Sequence, residues 1–467
     1  MKKLMSIVVL LSTCLLGAKA DVDPNFYIYI CFGQSNMEGN AQPESIDRTG
    51  IDKRFQLLAT CNFTNPSRTK GKWYTATPPL VSPNGGLGPS DYFGRMMVEC
   101  LPENVRVGVI PVAMGGSPIE MFDKDKYKTK IQEKESNGGT PWWATLANMH
   151  YGGNPYGRII EMAKEAQKVG VIKGILLHQG CSNNGDSNWP NMVRKIYNDM
   201  LTDLGLGTDS VPLFVGETLY QNQGGSCYAH NTQVARVPSV IKNSYVVSSD
   251  GCPGNGKDTW HFNAWGYRVL GSRYAAEALY ALGVQPSFFP FHNYTFVSSK
   301  NASFDEKTRT VTYQGAGLTS WTYPHFADWS GYKYLVVKLK EPQTVDAEVW
   351  LYGATKNVSY RDSIRERTTV VIDLHNLRYN NKVMDPSQVY KMAFRSPKAG
   401  KIVIDDVFLS NDSQYDPTGI CATLTNSEQK IENSIYDLQG RQIVNGKSVN
   451  GKLQKGIYIR KGKKIVM

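Results

Sequence analysis

The pattern of apolar and polar positions divides the chain into two long regions. In the first, from about residue 25 to 285, short and nearly continuous apolar runs alternate with amphipathic segments of helical period. Such an alternation is typical of a parallel β-sheet that helices cover on both faces. The predicted strands are 26–32, 105–114, 171–177, 211–217 and 245–249, and the predicted helices are 90–100, 156–169, 189–204 and 264–282.

The second region begins after residues 283–293, which read GVQPSFFPFHN. Its apolar runs are short, are separated by turn residues and show no helical period, so the pattern predicts a β-sandwich. The predicted fold class is therefore an α/β three-layer parallel sheet, followed by a β-sandwich module and a small C-terminal β unit. The predicted sandwich strands are 334–340, 347–352, 368–374, 389–394 and 401–409.

The two ends of the chain differ from its body. Two lysines and an apolar run precede Ala18-Lys19-Ala20, which predicts a secretory signal over residues 1–20 with cleavage after Ala20. The protein is then expected to be secreted, periplasmic or attached to the cell surface. The domain boundaries that follow are 21–286 for the α/β domain, 287–412 for the β-sandwich, 413–430 for a polar linker and 431–467 for the C-terminal unit.

The formal net charge of +11 does not indicate a nucleic-acid-binding surface, because of where the charge lies. Residues 430–467 hold nine lysines and arginines against two acidic residues, and the predicted signal holds three lysines. The body between them is close to neutral. No apolar run after the predicted signal approaches the roughly 18 residues that span a bilayer, so no membrane span is expected.

The eight cysteines indicate structural roles rather than a metal site. Export permits disulfides, and the pairs Cys61–Cys100 and Cys181–Cys252 are plausible bridges, although pairing cannot be derived from the sequence. The chain has no CxxC motif and no cluster of histidines with cysteines, so we expect no metal.

The main candidate for chemistry is Ser35, in the sequence GQSNM at residues 33–37, directly after the first predicted strand. Ligands of such sheets bind outside the carboxyl ends of the strands. A serine nucleophile needs a base and a group that orients the base. His261 follows the fifth strand and has Asp258 three residues before it, so the carboxylate can accept Nδ1–H and leave Nε2 for the serine. The alternative is an aspartate near a helix start, beside a histidine packed by tryptophans.

Two further strand ends carry groups that donate hydrogen bonds. Gly115 and Gly116 follow the second predicted strand and allow close backbone approach to a ligand. Gln179 and Asn183 follow the third strand, in the sequence LLHQGCSNNGD at residues 176–186. Each segment taken singly is more often a loop than a site, but four such clusters after four strands are much less expected by chance.

Together, GQSNM, the Gly-Gly-Ser segment, His178-Gln179-Gly180 and Asp258-x-x-His261 resemble the SGNH hydrolase superfamily over residues 25–285. The most similar branch is that of the carbohydrate esterases, which includes acetyl xylan esterases and sialate O-acetylesterase-like proteins. The resemblance implies Ser35 as nucleophile, His261 as general base and acid, and Asp258 as the orienting carboxylate. Here Cys181 stands where the family often has glutamate after Gln-Gly.

The resemblance also implies an oxyanion hole and an acetyl substrate. The expected donors are the N–H of Ser35, an N–H of Gly115 or Gly116, and an amide side chain, with Gln179 favoured and Asn183 second. No metal or cofactor is required. For substrate contacts we expect Gln34 and a sugar-stacking wall at Trp142 and Trp143, although the tryptophans would equally well anchor their loop.

Three functions remain open at this point. The first is a secreted serine esterase that removes O-acetyl groups from plant or host glycans, such as acetyl xylan or O-acetylated sialate. The second is a non-catalytic glycan-binding protein, which loss of Ser35, Asp258 or His261 would have favoured. The third is an SGNH esterase that acts on non-sugar esters, although no apolar lid for a long acyl chain is evident.

The two C-terminal modules suggest further partners. The region from 290 to 412 resembles β-sandwich modules found beside carbohydrate-active enzymes, and Trp321, Trp329, Tyr332 and Tyr334 are either exposed stacking residues or core. The tail, with IYDLQGRQI and LQKGIYI, resembles the C-terminal sorting domains of Bacteroidetes-type secreted proteins, which implies recognition by an export machinery. Its alternative is a small β-appendage with a solvated basic face.

Overall fold

The computed structural model describes residues 22–284, 286, 290–344 and 346–415, together with three short strands near the C-terminus. The predicted signal peptide, most of the predicted linker and most of the C-terminal unit lie outside the described residues, as do Cys14 and Cys421. None of the helices in the described ranges is long and apolar enough to cross a membrane.

The first sheet has seven strands and is parallel except for one edge strand. The strands are β1 (Phe26–Gly33), β2 (Phe55–Leu58), β3 (Trp73–Thr75), β4 (Arg106–Ala113), β5 (Val171–His178), β6 (Leu213–Gly216) and β7 (Ser244–Val247). Their spatial order is β3-β2-β4-β1-β5-β6-β7, so β1 lies in the middle between β4 and β5. The sequence pattern missed β2 and β3, which have only four and three residues and no long apolar run.

Helices cover both faces of this sheet. They are α1 (Ser35–Glu38), α2 (Ser45–Arg48), α3 (Pro89–Cys100), α4 (Tyr127–Ser136), α5 (Trp142–Tyr151), α6 (Pro155–Ala166), α7 (Trp189–Asp203), α8 (Asn231–Val234), α9 (Val237–Val240) and α10 (Ala264–Ala281). The apolar run of strand β1 is continuous because both of its faces are covered by helices. Tyr29 and Cys31 pack on the side of α3 and α10, whereas Ile28, Ile30 and Phe32 pack on the side of α6 and α7. The prediction of a three-layer α/β fold is confirmed.

The second region is an antiparallel β-module, also as predicted. Its strands are β8 (Val297–Asp305), β9 (Thr310–Ala327), β10 (Tyr334–Leu339), β11 (Glu348–Tyr352), β12 (Val358–Ser363), β13 (Thr369–Asp373), β14 (Arg378–Tyr379), β15 (Lys382–Val383), β16 (Val389–Ser396) and β17 (Gly400–Ser410). The long strand β9 pairs with β8, β16 and β17 and so connects the whole module. Three short antiparallel strands follow near the C-terminus, at β18 (Ile435–Tyr436), β19 (Ile457–Arg460) and β20 (Lys463–Val466).

The aromatic residues considered for sugar stacking in this module belong to its core. Trp321, Trp329 and Tyr334 are buried, and Tyr332 packs partly buried against the same cluster. Trp321 contacts the rings of Phe304 and other core aromatics edge to face. These side chains therefore do not form an exposed sugar-binding surface.

A charged cluster joins the α/β domain to the β-module. The imidazole of His292 lies between Glu99 at the end of α3 and Glu306 beyond β8, with ring nitrogen to carboxylate oxygen distances of 2.6 Å to each. Burial alone would lower the pKa of His292, but hydrogen bonds and attraction from Glu306 and Glu99 outweigh it and raise the pKa to about 9. The imidazolium thus connects two carboxylates across the contact between the domains.

This cluster predicts a stability change in the alkaline range. Because the folded-state pKa of His292 exceeds the ordinary value of about 6.5, its contribution is complete below pH ~6.5 and is lost as the pH rises through 9. After allowance for solvent screening, we expect about 1–2 kcal/mol. The measurement is Tm of wild type and of His292→Gln between pH 6 and 10. Wild type should have the higher Tm at pH 6, and the two Tm curves should converge toward pH 10. A Tm difference that does not depend on pH would contradict the assignment.

Candidate active site

Ser35 lies at the carboxyl end of the central strand, where a tight turn leads from β1 into α1. Gly33 ends the strand with φ +152, and a Cβ on it would collide with the carbonyl oxygen of His178 on β5. The backbone N–H of Gln34 donates to that same carbonyl at 3.0 Å. Glycine is therefore needed at position 33, and its close approach to β5 places Ser35 as the first residue of the short helix α1.

Three side chains that are far apart in the sequence form a continuous hydrogen-bonded chain. The Oγ of Ser35 lies 2.8 Å from Nε2 of His261, and Nδ1 of His261 lies 2.8 Å from Oδ2 of Asp258. Ser35 follows β1, whereas Asp258 and His261 lie on the loop between β7 and α10. Since both segments leave the same edge of the sheet, the topology brings together groups that are 226 residues apart.

The surroundings of Asp258 keep its carboxylate ionised. Burial alone would raise its pKa, but hydrogen bonds from His261, from the side chain of Asn255 and from two backbone N–H groups lower the pKa to about 2. The backbone donors are those of Trp260 and His261, at 2.8 and 2.9 Å from Oδ1. A carboxylate held in this way accepts Nδ1–H and fixes the imidazole with Nε2 toward the serine.

Asn36 was not among the predicted site residues, yet it joins the two halves of the site. Its Nδ2 donates to the carbonyl oxygen of Trp260 at 2.9 Å, and its Oδ1 accepts a hydrogen bond from the buried hydroxyl of Tyr267 at 2.7 Å. The serine turn is thereby tied to the loop of His261 and to the first turns of α10. Its place in GQSNM, directly after Ser35, was the one signal for it in the sequence.

The backbone donors near Ser35 differ from the expected set in one respect. The N–H of Gly115 donates to Oε2 of Glu38 at 2.7 Å, so it is not available to an oxyanion. Among the described residues, none accepts a hydrogen bond from the N–H of Ser35 or of Gly116. Both glycines line the cavity beside Ser35, and Gly116, with φ +74, has the left-handed conformation that glycine favours.

The amide side chains favoured for the oxyanion hole face elsewhere, which corrects that expectation. Gln179 is fully buried, and its amide contacts Ser117, Asn183 and the indole N–H of Trp189. Asn183 donates to Glu120 and accepts from the N–H of Ile119. Neither side chain lines the cavity above Ser35. Both amides instead hold the loop after β5 in place.

Gln34 does line the cavity, as the expectation of a substrate contact requires. Its Oε1 accepts hydrogen bonds from the backbone N–H groups of Gly180 and Ser182, at 3.0 and 3.3 Å. These bonds fix which end of the amide is the acceptor. The Nε2 donor is left without a partner among the described residues.

Trp142 and Trp143, which are adjacent in the sequence, lie in different environments. Trp142 lines the cavity and is 59% exposed, whereas Trp143 is 8% exposed and packs in the core beneath α5. The expectation for Trp143 is therefore wrong, because helical geometry turns successive residues of α5 to different faces. Trp260, next to His261, also lines the cavity and is 49% exposed. The sequence reading considered Trp260 only as a packing residue.

The predicted disulfide pairs are not formed. The six cysteines in the described ranges, at positions 31, 61, 100, 181, 227 and 252, are free. Cys61 belongs to the core on one face of the sheet and Cys100 packs on the other, so they cannot meet. Cys181 lies against Cys227, whose Sγ is 4.0 Å from the carbonyl oxygen of Cys181, rather than against Cys252.

One group of carboxylates in the described part of the chain has the spacing of a metal site, but a lysine occupies it. Asp123, Asp125 and Asp199 lie close together, and Nζ of Lys195 contacts all three at 2.7–2.9 Å. The ammonium group offsets one of the three negative charges and occupies the place between the carboxylates. It lies outside the cavity of Ser35.

Comparison with known proteins identifies the α/β domain. Residues 25–280, more than half of the chain, match the family described as carbohydrate esterase, sialic acid-specific acetylesterase. Similar solved structures include a protein from Arabidopsis thaliana, with 20% identity, coverage of 55% of this chain and 99% of that chain, and a TM-score of 0.41. A carbohydrate acetylesterase from Xanthomonas citri has 16% identity, 82% and 79% coverage and a TM-score of 0.38. NanS has 16% identity, 57% and 100% coverage and a TM-score of 0.42.

The buried carboxylate of Glu38 yields a prediction about stability. Burial raises its pKa, and its two oxygens accept from the hydroxyl of Ser82 at 2.8 Å and the N–H of Gly115 at 2.7 Å. In Glu38→Gln, one of these donors would face an amide NH₂ group, so the free energy of unfolding should fall by about 1–3 kcal/mol. Chemical denaturation measures this.

Glu161→Gln is the control for this prediction, because that carboxylate is exposed and pairs with Lys70 and Arg158 at the surface. It should cost less than about 1 kcal/mol. If Glu38→Gln were as stable as this control, the two hydrogen bonds would not stabilise the fold.

Proposed function

The chain belongs to the carbohydrate esterase family of sialic acid-specific acetylesterases, and from this premise we propose that it removes O-acetyl groups from sugars with Ser35 as nucleophile. Family membership confirms the expectation of a carboxylic ester hydrolase. The observation that carries the proposed mechanism is the hydrogen-bonded chain from Ser35 through His261 to Asp258. A protein that only bound glycans would not need these three groups in this order.

The mechanism follows from the positions of the atoms. Ser35 Oγ attacks the ester carbonyl carbon while His261 Nε2 takes the hydroxyl proton. Asp258, ionised at neutral pH, accepts the hydrogen bond from Nδ1–H and so stabilises the imidazolium that forms when Nε2 takes the proton. His261 then gives the proton to the departing sugar oxygen, which leaves an acetyl-serine. A water molecule, deprotonated by the same Nε2, releases acetate and restores Ser35.

Three donors suit the oxyanion of the tetrahedral intermediate. They are the N–H of Ser35, the N–H of Gly116 and Nε2 of Gln34, each without a partner in the described ranges. The two backbone N–H groups on Oε1 of Gln34 hold its amide in one orientation. Donors fixed before the reaction stabilise the developing charge without reorganisation.

The shape of the cavity supports a sugar as the alcohol part of the ester. It has a volume of about 470 Å³, and its lining includes Trp142 and Trp260, which are both exposed. Flat aromatic surfaces beside polar groups are suited to pyranose rings, which have apolar faces and polar edges. An esterase for non-sugar esters would have less use for them.

The proposal also covers the domain organisation and the location of the protein. We place the catalytic domain at residues 21–286 and the β-sandwich at 287–412, followed by a linker over 413–430 and a sorting-like unit over 431–467. With a signal peptide cleaved after Ala20, the enzyme would act outside the cytoplasm on acetylated oligo- or polysaccharides. The C-terminal unit would then be recognised by an export machinery.

The first prediction tests the three proposed catalytic residues. Wild type should release acetate from acetylated xylan or from O-acetylated sialic acid, and Ser35→Ala and His261→Ala should lower kcat by at least about 10⁴-fold. Asp258→Asn should cost roughly a thousandfold or more, because the imidazole loses its orientation. Asp250→Asn, which changes an exposed carboxylate after β7, is the matched control and should retain full activity. Hydrolysis that persists in Ser35→Ala would refute the mechanism.

A second prediction concerns Gln34. Gln34→Glu keeps the acceptor for Gly180 and Ser182 but removes the free donor, so kcat should fall by about 10²–10³-fold with the fold intact. Gln34→Ala should give a similar loss. Steady-state kinetics of Asn183→Ala provide the comparison, and kcat should remain within about tenfold of wild type. Equal losses of kcat in Asn183→Ala and Gln34→Glu would indicate that the oxyanion donor lies on the loop after β5.

A third prediction separates sugar contacts from ester chemistry. Trp142→Ala and Trp260→Ala should each lower kcat/KM for an acetylated oligosaccharide by about tenfold, because a stacking surface is lost. With 4-nitrophenyl acetate, which has no sugar, kcat/KM should stay at the wild-type value. Met149→Ala, an exposed position on the same helix as Trp142 but outside the cavity, is the control. An equal loss on both substrates would mean that the tryptophans support the site only structurally.

A further inference from the structure

The charge of the cavity above Ser35 restricts which acetylated sugars it accepts. Its lining contains no lysine or arginine within the part of the chain that the structure describes. Recognition of a carboxylate normally relies on such cations, above all on the planar guanidinium of arginine. A sugar that carries a carboxylate would find no counter-ion in this cavity.

Two carboxyl groups lie at or directly behind the lining, and one of them is ionised. Glu38 forms part of the lining, and its partners are the neutral donors of Ser82 and Gly115. Asp258 lies directly behind His261 and is ionised at neutral pH. A carboxylate on the substrate would therefore approach the ionised Asp258 and the carboxyl group of Glu38, with no lysine or arginine in the lining to attract it.

One arginine near the lining is already engaged by the protein. Arg158 donates to the carbonyl oxygens of Thr60 and His150 and pairs with Glu161. Its guanidinium is therefore committed to the protein itself. No rearrangement of this side chain into the cavity is possible without leaving those groups unpaired.

The neutral polar groups of the lining are arranged for hydroxyls. Oδ1 of Asn84 accepts a hydrogen bond from Nε2 of the buried His150 at 2.7 Å, which leaves the Asn84 NH₂ group for a ligand. Asn40 and Ser182 contribute further neutral groups at exposed positions of the rim. Together with the two exposed tryptophans, this lining matches an uncharged sugar ring.

We propose that the site takes acetyl esters of uncharged sugars, and that it discriminates against acetyl esters of sugars that carry a carboxylate, sialic acid included. This inference rests on the proposed esterase function and specifies its substrate class. It departs from the substrate that the description of the family mentions.

The test compares substrates that differ only in charge. The probes are a methyl glucoside and a methyl glucuronide that are acetylated at the same hydroxyl, together with 9-O-acetylated sialic acid and its methyl ester. At low salt, kcat/KM should be at least tenfold higher for the uncharged member of each pair, and added NaCl should narrow the gap because it screens the repulsion. Equal or faster hydrolysis of the charged members would overturn the inference.

A pair of variants tests the same point from the side of the protein. Asn40→Lys places a cation at the rim, and it should lower the ratio of kcat/KM for uncharged over charged substrates at least threefold. Asn40→Gln should leave this ratio unchanged. The same ratio in both variants would count against a role for charge.

Two controls keep this inference apart from the proposed function. Hydrolysis of 4-nitrophenyl acetate, in wild type and in Ser35→Ala, reports on the ester chemistry alone. If neither this ester nor any sugar acetate is hydrolysed in a Ser35-dependent way, the proposed function fails and the inference fails with it. If all are hydrolysed through Ser35 without preference for uncharged sugars, only the inference fails.

Discussion

The contact between Gly33 and the carbonyl of His178 determines the geometry of the whole site. The middle strand β1 ends against β5 without room for a side chain, and the next N–H, that of Gln34, donates to the same carbonyl. The chain must therefore turn at Gln34 and begin α1 at Ser35. Because Ser35 is the first residue of that helix, its N–H has no helical partner and is free for a ligand.

The same turn carries the groups around the serine. Gln34 reaches the loop after β5 and accepts from Gly180 and Ser182, while Glu38 at the end of α1 holds the N–H of Gly115 after β4. Asn36 between them binds the loop of His261. The turn at Gln34 and the short helix α1 thus contact the loops that follow three other strands. A few hydrogen bonds therefore fix the relative positions of the proposed nucleophile, base and oxyanion donors.

Much of this arrangement could be predicted from the sequence. The continuous apolar runs indicated five of the six parallel strands, and the spacing of Asp258 and His261 after the last of them indicated a base beside its carboxylate. These features depend on local pattern and on the rule that parallel strands end at one edge. They do not require knowledge of packing.

What could not be predicted depends on which way a side chain points. Gln179 and Gln34 are both amides at strand ends, and only the fold reveals that the first is enclosed by Ser117, Asn183 and Trp189 while the second faces the cavity. The separation of Trp142 from Trp143 follows from the helix α5, which the pattern missed in a segment rich in glycine and polar residues. The cysteine pairs failed for the same reason, since spacing does not show on which face of the sheet a residue lies.

The most direct measurement of the central claim is to trap the acyl-enzyme. The protein would be mixed with an activated acetyl ester, quenched in acid within milliseconds and digested, and the acetylated peptide located by mass spectrometry. The account predicts a single transient acetyl group on Ser35, which is absent in His261→Ala. An acetyl group on another residue, or continued turnover with none on Ser35, would contradict it.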